Sequence, residues 1–155
     1  MPGRRTDATT RSAAAAFVVN SLAAKAQSVA EIEAKLARRG VTDEDAASVV
    51  ADALRLGYLD DAELAGQLAR GFASRGYGRR RAAAALRRRG LPGGLADDAL
   101  DAVYGDVDEV TLARAALGSR ATDDDAARRR GAAFLARRGF SSAAAWQAVR
   151  TRSTE

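Results

Sequence analysis

Apolar residues recur at three- and four-residue intervals from Ser12 to Val149, the spacing of helices that bury one face. Ala46, Val49, Val50, Ala53 and Leu54 predict a helix over Asp43–Leu56. Leu95, Ala99, Leu100 and Val103 predict one over Leu95–Tyr104, and Trp146 and Val149 mark one over Ser142–Val149. Further helices are expected over Ser12–Ala26, Asp61–Ser74 and Glu109–Ser119. Ser28 and Thr42 stand where N-caps belong, and Glu31 follows Ser28 at capping-box spacing. Pro92-Gly93-Gly94 reads as a loop. The polar stretches 1–11 and 151–155 read as disordered tails.

Set against itself, the chain repeats. Leu36-Ala37-Arg38-Arg39-Gly40-Val41, Leu86-Arg87-Arg88-Arg89-Gly90-Leu91 and Leu135-Ala136-Arg137-Arg138-Gly139-Phe140 share one pattern, with the glycines 50 and then 49 residues apart. The pattern describes a helix end. The leucine faces the core from the last turn, the arginines sit where positive charge favours the helix dipole, and the glycine supplies the left-handed residue that closes the helix. The apolar residue after it folds back on the same helix. Each motif has a helix before it and a helix after it, so each unit holds three helices. The predicted fold is all-α: three tandem three-helix repeats over 12–59, 60–105 and 106–150, forming an elongated, curved helical array.

Composition narrows the chemistry. The chain has 155 residues, 47% of them hydrophobic, and many of these are alanine, which suits thin helix-on-helix packing. It has no cysteine and no histidine, which excludes disulfides, a thiol nucleophile and an imidazole base. Twenty-five basic residues face twenty acidic ones, and Lys25 and Lys35 are the only lysines. An arginine-rich chain of net charge +5 suits an acidic partner such as nucleic acid, although a GC-rich coding sequence yields the same bias. Arg4 and Arg5, the run Ala13–Val19 and Ala24-Lys25-Ala26 resemble parts of a secretory signal. The run is mostly alanine and is broken by Asn20 and Ser21, so it reads as a first helix. No stretch is long and apolar enough to span a bilayer.

The middle of the chain carries a more specific signature. Gly57-Tyr58-Leu59-Asp60-Asp61 leads into a helix that ends at Arg75-Gly76-Tyr77-Gly78. Arg79-Arg80-Arg81-Ala82 follows, then Leu86-Arg87-Arg88-Arg89-Gly90-Leu91. This succession resembles the RecX family of recombination regulators. Leu64 and Ala82 depart from it, standing where phenylalanine and isoleucine are common. The resemblance covers about residues 12 to 150, most specifically in the middle unit. It implies a regulator that lodges in the groove of the RecA–DNA filament and inhibits ATP hydrolysis and strand exchange.

Residues 75 to 90 hold seven arginines and no acid. With Leu86 facing the core, Ala82 and Ala83 lie beside it; Arg80, Arg81, Arg87 and Arg88 fall on the outer face, and Arg79 and Arg89 nearer the seam. A run of charge on a helix is commonly a solvated face, and the arginine pairs also serve as helix caps. Together with the resemblance, the pattern assigns binding of RecA and of DNA phosphates to Arg75, Tyr77, Arg79, Arg80, Arg81, Arg87, Arg88 and Arg89. Lys35, Arg38 and Arg39 add to it from the first repeat, and Arg137 and Arg138 from the third. Tyr77, between two glycines, reads as a contact residue and Tyr58 as an inter-repeat packing residue. Single- or double-stranded DNA fits such a surface through its phosphates.

The acidic clusters Asp60-Asp61-Glu63, Asp97-Asp98-Asp101 and Asp123-Asp124-Asp125 admit a second reading, as magnesium ligands of a nuclease. Their positions near predicted helix starts favour capping. No nucleotide-binding glycine loop is present. The expectation is a non-enzymatic cytoplasmic monomer with no cofactor or metal. The alternative is a general helical nucleic-acid-binding protein that does not depend on RecA.

Overall fold

Leu36, Leu86 and Leu135, the leucines that open the three repeat motifs, are fully buried in the computed structural model. The structure describes the backbone of residues 3–151 and the side chains of residues 10–151. Among the described residues, the regular structure is nine helices and no strand. In chain order these are α1 (Gly3–Ala24), α2 (Val29–Arg38), α3 (Asp43–Arg55), α4 (Asp61–Ser74), α5 (Arg79–Arg88), α6 (Gly93–Tyr104), α7 (Glu109–Leu117), α8 (Asp125–Arg137) and α9 (Ser142–Thr151). They fall into three triplets, and the fold is an all-α helical repeat.

Two boundaries correct the sequence reading. The stretch 1–11 was expected to be a tail, yet α1 begins at Gly3. No proline or glycine interrupts the chain between Gly3 and Ala24, so a helix anchored by the buried Ala14 and Val18 propagates toward its N-terminus. The loop expected at Pro92-Gly93-Gly94 is shorter, because both glycines lie in the first turn of α6. Thr151 belongs to α9, and residues 152–155 of the expected C-terminal tail lie outside the described residues.

The chain divides into two compact units. The first comprises residues 1–64 and 89–92. Its core gathers Val18 of α1, Ile32 and Leu36 of α2, Val49, Val50 and Ala53 of α3, and Leu59, with Phe17, Leu22 and Val29 packed against it. Burying each large aliphatic side chain contributes about 1.5–3 kcal/mol. Leu54 was expected on this face but is 46% exposed. The buried arc of α3 is already filled by Val49, Val50 and Ala53, and Leu54 is turned a further hundred or so degrees past Ala53. Ser28 and Thr42 cap α2 and α3 as expected, Ser28 in a complete capping box with Glu31.

The second unit comprises residues 65–88 and 93–155. Ala113, Leu117, Ala132, Leu135, Phe140, Ala148 and Val149 form its main cluster, where α7, α8 and α9 meet. Ala82, Ala85 and Leu86 of α5 are buried, as are Ala96, Leu100 and Tyr104 of α6, which packs on α5. Ala82 of this unit and Leu64 of the first, the two departures from the family pattern, are 0% and 6% exposed, so both face the core.

Each glycine of the repeat motif has positive φ: 75° at Gly40, 71° at Gly90 and 95° at Gly139. Around Gly40, Val41 N–H donates to the Leu36 carbonyl and Gly40 N–H to that of Ala37, at 3.1 and 3.0 Å. Phe140 and Gly139 repeat these bonds on Leu135 and Ala136, both at 3.1 Å. This is the Schellman closure, which returns the orphan carbonyls of a helix end to hydrogen bonds.

Candidate functional site

The ends of the motif helices serve as docking points. In the first unit, the Ser28 hydroxyl, fully buried at the N-cap of α2, donates to the Arg89 carbonyl. A Cβ on Gly90 would fall 2.7 Å from that of Ala30. In the second unit the carbonyls at the end of α8 receive the first N–H groups of α5: Gly78 donates to Arg138 at 2.8 Å and Arg80 to Gly139 at 3.2 Å. The junction in the second unit brings the C-terminus of α8, with its partial negative charge, onto the N-terminus of α5 with its partial positive charge. Each junction also satisfies backbone groups that a helix end leaves unpaired.

This geometry splits the arginine pairs. The second arginine of each pair is engaged. Arg39 lies 4.0 Å over the Phe17 ring. Arg89 forks onto the Glu31 carboxylate and donates to the Ala26 carbonyl at 3.0 Å. Arg138 donates to the Arg75 carbonyl at 2.7 Å and lies 4.6 Å over Tyr77. The first arginine of each pair, Arg38, Arg88 or Arg137, is exposed, and its guanidinium has no hydrogen-bond or ion-pair partner among the described residues. Spacing alone made the two positions look equivalent.

On α5 the outer face is as geometry required: Arg80, Arg81, Arg87 and Arg88 are all exposed. Arg79, nearer the seam, pairs with Asp101 at 2.6 Å. Arg81 donates to the Arg137 carbonyl at 3.0 Å and stands 5.1 Å over Tyr77. Lys35 is held by the Ser21 hydroxyl at 3.2 Å and by Gln27. Of the sequence-assigned residues, Arg75, Tyr77, Arg81 and Arg138 come together around one ring. Arg75 lies 5.9 Å from it and Phe72 5.4 Å.

The two tyrosines differ in burial. Tyr77 is half-buried, its carbonyl accepts the Tyr104 hydroxyl at 2.9 Å, and its ring anchors three arginines. Tyr58, expected to pack between repeats, is 53% exposed. Leu59 takes the buried position after Gly57 and leaves Tyr58 turned outward. Burial raises the pKa of the Tyr104 hydroxyl, which leaves it a proton donor at neutral pH.

Several of the acids serve as caps or ion pairs. Asp60 accepts from Glu63 N–H at 3.0 Å, Asp108 from Thr111 at 2.8 Å and Asp124 from Ala127 at 2.6 Å. Asp61, in the first turn of α4, accepts Val29 N–H of α2 at 3.0 Å and so caps a helix other than its own. Asp101 lies well inside α6 rather than near its start and pairs with Arg79. Among the described residues no three carboxylates converge as metal ligands. Those residues also include no helix long and apolar enough to cross a membrane.

Burial alone would raise the Glu31 pKa. The hydrogen bonds from Arg89 and Ser28 N–H, with the charges of Arg89 and Lys25, outweigh that and hold it below its ordinary 4.5. A carboxylate with a lowered folded pKa stabilises the fold above its unfolded value, and that contribution is lost as pH falls through the folded value. The wild type is therefore expected to exceed Glu31→Gln in stability at neutral pH, with the gap closing below about pH 4.5. Urea unfolding of both across that range checks this, and a gap independent of pH contradicts it.

These features define a class: an all-helical repeat protein with an arginine-faced central helix and no catalytic constellation among the described residues. Comparison with known proteins supplies the family. A family model described as the second three-helix domain of RecX matches residues 60–100. Regulatory protein RecX of Stenotrophomonas maltophilia is 39% identical over 112 residues, covering 71% of this chain and 69% of that protein. That of Mycolicibacterium vanbaalenii is 33% identical over 148 residues, 88% of this chain and 80% of the other. The crystal structure of RecX from Lactobacillus salivarius superposes with a TM-score of 0.76 at 20% identity, over 94% of this chain and 97% of that one. The chain belongs to the RecX family of regulatory proteins.

Proposed function

We infer that this protein binds the RecA–DNA filament and suppresses RecA's ATP hydrolysis and strand exchange without catalysing a reaction itself. One observation carries the reading: α5 presents Arg80, Arg81, Arg87 and Arg88 to solvent with no acid in the helix. The ion-paired Arg79 and Arg89 hold the scaffold. Arginine forks fit phosphate and carboxylate alike, so such a face meets both components of a nucleoprotein filament. Arg137, whose guanidinium is unpaired among the described residues, adds to the set, as does Arg38 in the first unit. Lys35, Arg39 and Arg138 support it from positions already partnered within the fold.

The competing reading is a general nucleic-acid binder, and relative affinity separates the two. Titration onto RecA filaments formed on single-stranded DNA is expected to show saturable binding tighter than to the same oligonucleotide without RecA. ATP hydrolysis should fall as the sites fill. Equal affinity for both, with hydrolysis unchanged, would favour the general binder.

A further inference from the structure

The third repeat holds a basic cavity that the α5 face does not include. It has a volume of about 340 Å³ and is lined by Arg120, Arg130 and Arg137 around Phe134, over a floor of small residues. No acid lines it. All three arginines are exposed. Arg120 is pinned in place: its guanidinium lies 3.8 Å over the Phe134 ring and donates to the Leu117 carbonyl at 3.3 Å. One side of the guanidinium is thus against the ring, and the residue itself is exposed and lines the cavity. Arg130 and Arg137 are two turns apart on α8, on the same side of the helix, separated by roughly 10 Å along its axis. Neither guanidinium has a hydrogen-bond or ion-pair partner among the described residues. Gly131 in the floor is packed closely against the core, since a Cβ there would meet Val149 at 3.0 Å and Leu117 at 3.3 Å.

We propose that this cavity is a nucleotide-binding subsite for single-stranded nucleic acid, with a base stacked on the Arg120 guanidinium and flanking phosphates held by Arg130 and Arg137. Unstacked bases pack on aromatic rings and on arginine planes, and a ring already backing the guanidinium keeps that plane oriented. A carboxylate-rich peptide fits less well, because it engages arginine edge-on and gains nothing from a held face. The site rests on the reading that the basic surface meets nucleic acid, and it deepens that reading by naming a single-stranded ligand.

The test is fluorescence anisotropy with a labelled oligothymidylate over a salt series, using the full chain. Two lost phosphate contacts in Arg130→Gln/Arg137→Gln should reduce the slope of log affinity against log salt by about 1.4. Arg120→Lys keeps the charge but loses the plane, so affinity should fall roughly tenfold with the slope unchanged. Wild-type slope and affinity in both variants would overturn the subsite. So would an oligoglutamate peptide that binds through Arg130 and Arg137 while the oligonucleotide ignores them. Arg87→Gln/Arg88→Gln in the same series separates the two levels. If it weakens binding while the cavity variants do not, the subsite alone fails; if none of the three responds, the nucleic-acid reading of the basic surface fails with it.

Discussion

Replacing Gly139 with alanine is expected to destabilise the protein by about 2–5 kcal/mol, whereas the same change at Gly40 should cost only about 1. Both residues close a motif helix with positive φ, so both substitutions incur left-handed strain. Their surroundings differ. Around Gly40 nothing lies within 4 Å of an added Cβ. At Gly139 the new atom would strike the Arg81 backbone nitrogen and approach its Cα to 3.0 Å. Backbone cannot move aside cheaply, and the Arg80 N–H bond to the Gly139 carbonyl would be strained with it. Gly90 should fall between, because its obstacle is the single Ala30 methyl. Thermal melts of the three variants check the order, at about 2–4 °C per kcal/mol for a chain of this size. Equal losses at all three sites would mean that the junction at the end of α8 does not bear on stability.

The second large effect concerns binding. Changing Arg80, Arg81, Arg87 and Arg88 together to glutamate is expected to weaken association with RecA filaments on DNA by on the order of 10²–10³-fold near 0.1 M salt. Each arginine supplies one phosphate contact, and the repulsion added by glutamate deepens the loss. All four side chains are exposed, and helicity should survive. Glutamate at the last turn of α5 opposes the helix dipole, at a cost of about 0.3–1 kcal/mol. Arg81 also contributes a bond to the Arg137 carbonyl and a place over Tyr77. Arg87→Glu/Arg88→Glu avoids that second role and should retain a large part of the loss. Filament affinity by anisotropy, with circular dichroism as the folding control, decides this. Wild-type affinity in a folded quadruple variant contradicts the assignment.

Much of this arrangement was legible in residue order. Leucine before the paired arginines and glycine after them described a Schellman closure, and Gly40 and Gly139 make it in full. Ser28 with Glu31 signalled its capping box. The outer face of α5 followed from the position of Leu86. What remained hidden depends on contacts across tens of residues. No local pattern says that Glu31 answers Arg89, or that Asp61 caps α2 instead of its own helix. The second arginine of each pair is recruited by a distant ring, carboxylate or carbonyl, and the first is not. Arg120 and Arg130 lie outside the repeated motif and carry no local signal, although Phe134, just before the third copy, offered a ring for an arginine to stack on. Tyr58 and Tyr77 look alike in sequence, each following a helix-closing glycine. Tyr58 has Leu59 behind it to take the buried position, whereas Tyr77 is followed by Gly78, which has no side chain to do so.

The most direct test of a filament regulator acting through α5 is ATP hydrolysis by RecA on single-stranded DNA, with wild type and the quadruple glutamate variant added in turn. Hydrolysis should fall with substoichiometric wild type and stay near its starting rate with the variant. Undiminished hydrolysis with wild type bound to the filament, or equal suppression by the folded variant, would contradict it.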